Sequence, residues 1–448
     1  MRKITLLNIA TAALFTFALT TQAQEPLALS QAIELGLRNN FQIKVAENEW
    51  SIARSNNNWG QAGRYPMLNF SLNSTNGYTD RVDPTIVFQP EITFFSGLVT
   101  ANVDAGWVLF DGYRVRTTKE QLEKMEELGS RNAALVVENS IRDIILSYYQ
   151  VQIEAEQLRV VKEVLQLSSD RLAYQDLRRE YGQASTFDLL QTRDAYLSDS
   201  TNYLFQENSY LTAMRNLNLA MGEDDLSRVY QLVDPLAFEA PFFDLDTLQT
   251  RMLAENNTLQ FLRLQQEMAG INRQLAESDR YPRISMNGGL SYSINPRDNG
   301  NAINRFTNEK IGFTVGRTFT GYVNFAATYN IFDGGVRRRA VENAQVRELN
   351  AAYSLQDQER LLRAGLENVH ATYENQRDIL AVTESLLENA SQNLIIAEER
   401  FTGGLINSFD YRTIQLSYIS ASQARLNAYF NLKNTETELI RLIGGLLR

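Results

Sequence analysis

The chain has 448 residues, 43 Lys+Arg against 53 Asp+Glu, a net charge of −10, one histidine and no cysteine. An acidic chain without a basic block excludes nucleic acid as a partner. One histidine and no cysteine exclude a disulfide framework, a thiolate zinc site, a thiol nucleophile and a histidine-cluster metal site.

Residues 1–23 read as a signal peptide. Arg2 and Lys3 precede an apolar stretch from Ile4 to Leu19, and Thr21-Gln22-Ala23 places small residues where a signal peptidase cuts, leaving Gln24 as the mature start. The stretch is short for a membrane span of ~20 residues, and no cysteine follows it for lipid attachment. Beyond it no run of ~18 apolar residues occurs, so no transmembrane helix is expected. With only 24 Gly and 8 Pro, the rest of the chain is expected to be mostly long helix.

In chain order, a helix is expected over Ser30–Gly63, stopped by Tyr65-Pro66 because proline lacks the N–H donor. Two strands of period two follow. Leu68, Phe70 and Leu72 alternate with Asn69, Ser71 and Asn73, then Val99, Ala101, Val103, Ala105, Trp107 and Leu109 with Thr100, Asn102, Asp104 and Gly106. A helix of about 67 residues, roughly 100 Å long, is expected over Tyr113–Tyr181. It carries no proline and a heptad seam through Val137, Ile141, Ile144, Tyr148, Val151, Ala155 and Leu158. After a turn at Gly182 a helix returns over Thr186–Met221, and a linker with Pro235 and Pro241 separates it from a helix over Thr247–Asp279.

The remainder repeats this order: Tyr281-Pro282, two strands (Ile284 to Ile294 and Val315 to Ile331), a long helix over Val336–Thr402, a turn at Gly404 and a helix over Ser408–Ile443. The likeness extends to residues. Arg64-Tyr65-Pro66 recurs as Arg280-Tyr281-Pro282, Leu109 to Gly112 as Ile331 to Gly334, Phe187-Asp188 as Phe409-Asp410, and Leu219 to Gly222 as Arg441 to Gly444. The last three pairs share one offset of 222 residues. The chain is therefore expected to be internally duplicated: repeats at 24–222 and 247–448, joined by an equatorial linker at 223–246. The strands are expected at one end of the helices and the glycine turns at the other.

The strands carry one apolar face ending in aromatics (Trp107, Phe110, Tyr292, Phe319, Tyr329, Phe332) and one face of Ser, Thr, Asn and Gly. That pattern fits a transmembrane barrel with a wet lumen better than a half-buried soluble sheet. Four strands cannot close a barrel, the smallest having about eight, and an open edge in lipid is forbidden. Three chains would give 12 strands. The expected fold is therefore mixed and mostly α: a long helical coiled-coil barrel plus a transmembrane β-barrel completed by trimerisation.

At the two turns, Gly182 and Gly404 stop the descending helices, while Ser185 and Asn407 can cap the next, with Asp188 and Asp410 placed as in a capping box. The two aspartates can serve as caps, stabilised by the helix dipole, or as three-fold carboxylate rings in a pore; the roles are compatible. His370 is read as a surface or inter-helix residue. Arg337-Arg338-Arg339, directly after the fourth strand, fits anionic lipid at the membrane face or a solvated helix start.

With its duplicated Tyr-Pro before a strand, Phe332 to Gly335 after one, and two Gly-x4-Phe-Asp turns, the chain resembles the TolC-like outer-membrane efflux proteins over essentially the whole mature length. The resemblance implies a homotrimer in the outer membrane, with helices projecting into the periplasm. It also implies docking at the tip (Gly182, Gly403, Gly404) with a periplasmic adaptor serving an inner-membrane transporter of RND, ABC or MFS type. In the family an aspartate ring constricts the tip, and tyrosine, arginine and aspartate links hold it shut. Asp410 matches the ring aspartate, whereas Thr413, Phe401 and Ile406 stand where a second ring aspartate, the linking tyrosine and the linking arginine are expected. Closure is thus expected to involve Asp410, Asp188, Phe401 and Phe409. The implied function is the exit duct of a tripartite efflux or type I secretion system. The alternative is a periplasmic coiled-coil scaffold. An enzyme is disfavoured: the chain lacks a Gly-x-Ser-x-Gly elbow and a glycine-rich phosphate loop, and no catalytic residue, cofactor or metal is expected.

Overall fold

The computed structural model describes residues 25–82, 85, 91–236, 241–304 and 306–447; the expected signal peptide lies outside them. In chain order the first half holds β1 (Glu25–Leu27), α1 (Leu29–Asn39), α2 (Phe41–Asn56), β2 (Met67–Val82), β3 (Glu91–Phe110), α3 (Arg114–Glu180) and α4 (Thr186–Met221). The second holds β4 (Tyr230–Leu232), α5 (Leu245–Glu255), α6 (Asn257–Ser278), β5 (Arg283–Asp298), β6 (Phe313–Thr328), α7 (Val336–Thr402) and α8 (Ser408–Leu442). Helix predominates. Both α3 and α7 run 67 residues without a break, as their lack of proline and their apolar seams require.

The chain packs as two compact units, each drawing on both halves of the sequence. One comprises the chain up to Asn40, Ser140–Phe242 and Ala371–Glu438. Its core joins Leu27, Ile144, Tyr148, Val151, Met214, Leu217, Met221 and Tyr230. The linker is not a free tether here. Its β4 pairs in parallel with β1, setting Leu27 opposite Leu232. The buried Tyr148 hydroxyl lies within donating distance of the Leu27 carbonyl (2.9 Å) and the Asp234 carboxylate (2.6 Å), and burial and that carboxylate both push its ionisation up.

The other unit comprises Phe41–Asn139, Phe243–His370 and the C-terminal Leu439–Arg448. It contains a sheet of order β2-β3-β5-β6, antiparallel throughout. Register places Leu68, Ala105, Gly288 and Val323 in one row, and Leu72, Ala101, Tyr292 and Phe319 in another on the same face. The alternate rows are polar: Ser71, Asn102, Ser291 and Thr320, then Asn69, Asp104, Gly289 and Tyr322. Gly289 is required there. The Tyr322 hydroxyl crosses it to donate to Asp104 (2.8 Å), and a Cβ at Gly289 would lie 2.6 Å from that carboxylate oxygen. The fourth strand ends at Thr328, short of the expected Ile331, because Asp333 builds the next helix start: its carboxylate accepts from the N–H groups of Gly335, Val336 and Arg337. The Arg337 side chain, with the N–H groups of Arg337 and Gly335, holds the Asp333 carboxyl below the usual range. The arginine run is occupied locally. Arg337 also donates to the Asn330 and Asp279 carbonyls, Arg338 pairs with Glu342 (2.8 Å), and Arg339 donates to the Gly334 carbonyl. His370 meets the Phe243 carbonyl at 2.9 Å.

Two of the shorter helices expected from the sequence are each broken into two. Ser30–Gly63 is broken at Asn40 and Thr247–Asp279 at Asn256, where ψ swings to 122° and 121°. Both breaks share one device. The Asn40 side chain donates to the Ala220 carbonyl (3.2 Å) near the end of α4, and Asn256 donates to the Leu442 carbonyl (2.9 Å) at the end of α8. A left-handed glycine follows each helix end, Gly222 at φ 71° and Gly444 at φ 69°. Backbone packs directly against both: a Cβ at Gly222 would lie 2.9 Å from the Asn39 carbonyl carbon, and one at Gly444 2.5 Å from the Glu255 oxygen.

Gly182 has the same left-handed φ, 72°, but open space around it. Gly182→Ala is expected to cost about 1–2 kcal/mol from backbone strain alone. Gly222→Ala adds a backbone clash and should lower the thermal unfolding midpoint clearly more, as circular dichroism would measure; equal shifts would refute the packing account.

Candidate functional site

The first turn is built by backbone hydrogen bonds. The Gly182 N–H donates to Arg179 O (2.9 Å) and the Gln183 N–H to Arg178 O (2.8 Å), closing α3 as a Schellman motif. Ser185 then caps α4: its Oγ accepts from the Asp188 N–H (3.1 Å), and the Asp188 carboxylate accepts from the Ser185 N–H (3.2 Å) and Oγ (2.7 Å). The second turn repeats the closure, with Gly404 N–H to Phe401 O (3.0 Å) and Leu405 N–H to Arg400 O (2.8 Å). Gly404 is left-handed at φ 71°, whereas Gly403 still makes a helical bond to Glu399 O (3.0 Å).

The caps differ. Asn407 Oδ1 accepts from the N–H groups of Phe409 and Asp410, both at 2.9 Å. No group among the described residues bonds the Asp410 carboxylate, which is exposed. The expected capping box therefore forms at Asp188 and only half forms at Asp410. Asp188 is held by its own helix start, whereas the exposed Asp410 carboxylate has no bonding partner among the described residues.

Side chains behind the second turn form an apolar cluster of Leu394, Ala397, Phe401 and Tyr411, with Ile406 packed against it. Phe401 stacks on Tyr411 at 5.2 Å between ring centroids. Phe409 is not part of this cluster; it is 64% exposed, as Phe187 (72%) and Leu405 (78%) are. Beneath the cluster lies a polar group that the sequence did not disclose. Arg412 grips Asp199 with two bonds of 2.6 Å, and Ser168 donates its hydroxyl to the same carboxylate. Asp199 is 2% exposed. Arg171, also buried, faces the Tyr411 ring at 5.5 Å and reaches Gln415 Oε1 at 3.3 Å, while its Nε finds no acceptor among the described residues. Burial, then the nearby Arg412 charge, pulls its ionisation down from the arginine range.

Comparison with known proteins agrees with this geometry. The model of the outer membrane efflux protein family matches residues 32–223 and 248–445. The chain belongs to that family. Its members are channels rather than enzymes. The probable outer membrane lipoprotein SilC of Salmonella typhimurium is 21% identical over 439 residues, 93% of this chain and 86% of that protein. The Campylobacter jejuni CmeC outer membrane channel superposes with a TM-score of 0.75 at 16% identity, covering 93% of this chain and 85% of that one. The outer-membrane channel OprN gives 0.72 at 16% identity, covering 93% and 90%.

Within this outer-membrane efflux protein, the positions assigned by resemblance to the latch are occupied as follows. Phe401 replaces a hydrogen bond by ring stacking, Ile406 packs on the same cluster, and Thr413 donates its hydroxyl to Phe409 O (3.0 Å). The one hint in the sequence to the buried polar group is that positions 222 residues from Ser168, Asp199 and Arg412 are Ala390, Ala421 and Leu190.

The two aspartates should separate experimentally. Asp188→Ala removes a capping partner worth about 1 kcal/mol and should speed amide exchange over residues 186–190 roughly fivefold. Asp410→Ala should leave exchange over 408–412 unchanged, because Asn407 supplies that cap; equal acceleration in both would contradict the asymmetry.

Proposed function

We infer that this efflux channel is a homotrimeric exit duct. A 12-stranded barrel crosses the outer membrane, the helices project into the periplasm, and the glycine turns dock a periplasmic adaptor that serves an inner-membrane pump. The observation that carries the inference is the sheet: four strands with alternating apolar and polar rows and two unpaired edges, β2 and β6. Lipid supplies no partner for those edges, so three copies pairing β6 to β2 close the ring, apolar rows outward and polar rows around the lumen. Large apolar side chains that are mostly exposed on β2 and β6, such as Phe70 (70%) and Phe325 (70%), fit a lipid-facing surface.

Internal duplication, with repeats at 24–222 and 247–448 about a linker at 223–246, is part of the same proposal. Support comes from two family matches, two 67-residue helices and the paired Asn40/Gly222 and Asn256/Gly444 devices. At the tip, Asp410 is assigned to the constriction: in a trimer its free carboxylate becomes a ring of three charges that favours cations. Asp188, Phe401 and Phe409 are assigned to the wall around it, and Gly182, Gly403 and Gly404 to the docking turns.

Purified trimer in a planar bilayer tests the proposal. Small cation-selective steps are expected, with selectivity reduced severalfold in Asp410→Ala. Steps unaffected by that substitution would remove Asp410 from the constriction, and a folded trimer that never conducts would remove the duct.

A further inference from the structure

We propose that the cavity bounded by α3, α4 and the β4 segment is a binding site for a small aliphatic ammonium ion, held by Gln152 and Asp234. The site lies within one compact unit, away from the glycine turns, and it does not depend on the duct reading.

The cavity measures about 320 Å³. That is the low end of the range for small-molecule pockets, ~300–1,000 Å³, and suits a ligand of few atoms. Part of its wall is apolar, made by Val151 and Ala155 from α3, the Tyr210 ring from α4 and Leu232 from β4. The polar part is short of donors. Gln152 is 6% exposed, and its Oε1 has no hydrogen-bond partner among the described residues. Turning the amide round does not help. Its Nε2 donates to the Asp234 backbone carbonyl at 2.7 Å, and the turned amide would set two acceptors against each other.

Asp234 repeats the deficit. The Tyr148 hydroxyl (2.6 Å) and the Leu29 N–H (2.7 Å) both meet its Oδ2. Its Oδ1 has no donor, and no Lys or Arg pairs with this carboxylate, among the described residues. Arg159, which also lines the cavity, is already shared between Glu156 (2.7 Å) and Glu163 (3.5 Å). The lining therefore sets two carboxylates, Glu156 and Asp234, against one guanidinium. Burying an acceptor without a donor is costly, and so is leaving a partly buried carboxylate unbalanced. An ammonium group supplies both missing elements: N–H donors for Oε1 and Oδ1, and a positive charge beside Asp234. A short alkyl stem on that group matches the apolar wall. One water would satisfy Oε1, but its share of volume, ~30 Å³, leaves most of the cavity unfilled and the charge unbalanced.

The test titrates the full-length protein in detergent with n-butylammonium chloride, read by calorimetry. Saturable binding is expected, with a Kd on the order of 1 mM for so small a ligand. n-Butanol keeps the stem without the charge, and tetramethylammonium keeps the charge without N–H donors. Each should bind about tenfold more weakly or less. Gln152→Leu removes the unpartnered acceptor and should weaken butylammonium by about tenfold. Ala155→Phe leaves both acceptors in place and fills the cavity, so it should abolish saturation even if Gln152→Leu fails to fold. Amide exchange over residues 230–234 should slow when butylammonium is added to the parent, and stay unchanged in Ala155→Phe. A parent that never saturates, or that takes n-butanol as well as butylammonium, overturns the site. Binding that survives Ala155→Phe at full strength does the same.

Discussion

Every backbone N–H and C=O removed from water must find a partner, and that constraint shapes this chain more than any single packing contact. Very long helices satisfy it over their length and concentrate the difficulty at their ends. The sequence features that stand out by eye are end devices: Gly182 and Gly404 closing Schellman turns, Asp333 collecting three N–H groups, Ser185 and Asn407 capping the returning helices. Among the described residues of one chain, the same constraint at the sheet edges is unmet. It is the physical reason for expecting neighbours, since a strand edge in hydrocarbon has nothing else to bond.

The helix breaks follow from it as well. A helix that ends against another must have its last carbonyls bonded. Asn40 and Asn256 do this by leaving the helical conformation and donating a side-chain amide to the helix end beside them. The glycine beyond each end lets the two backbones approach closer than any side chain permits. One asparagine and one glycine thus convert two helix termini into a joint, twice over.

Local and periodic features were legible in the sequence: the 67-residue helices, the glycine turns and the faces of the strands. The limits of that legibility have a physical pattern. Asn40 and Asn256 looked like ordinary helix residues because their hydrogen-bond partners lie 180 and 186 residues away. Arg412 and Asp199, 213 residues apart, carry no spacing signal at all. Asp188 and Asp410 share the same Gly-x4-Phe-Asp spacing, and the cap actually used (Ser185 Oγ with a returning carboxylate, against Asn407 Oδ1 without one) distinguishes them. Propensity and period are local quantities, whereas the partner of a buried polar group is decided by the fold.

The tip combines two kinds of attraction that respond differently to movement. Stacking of Phe401 on Tyr411, with Ile406 and Leu394 around it, is a sum of dispersion contacts that weakens gradually as helices slide. The bidentate pair of Arg412 and Asp199 is directional, and it is lost as a unit once α8 rotates beyond hydrogen-bond reach. An apolar cluster alone would let the turn drift through intermediate positions. An ion pair buried beside it converts the same motion into a choice between two states, because half-broken geometry leaves a carboxylate neither paired nor hydrated. Where the resemblance leads one to expect tyrosine and arginine, this chain has Phe401 and Ile406, whose side chains pack together with Leu394 and Tyr411.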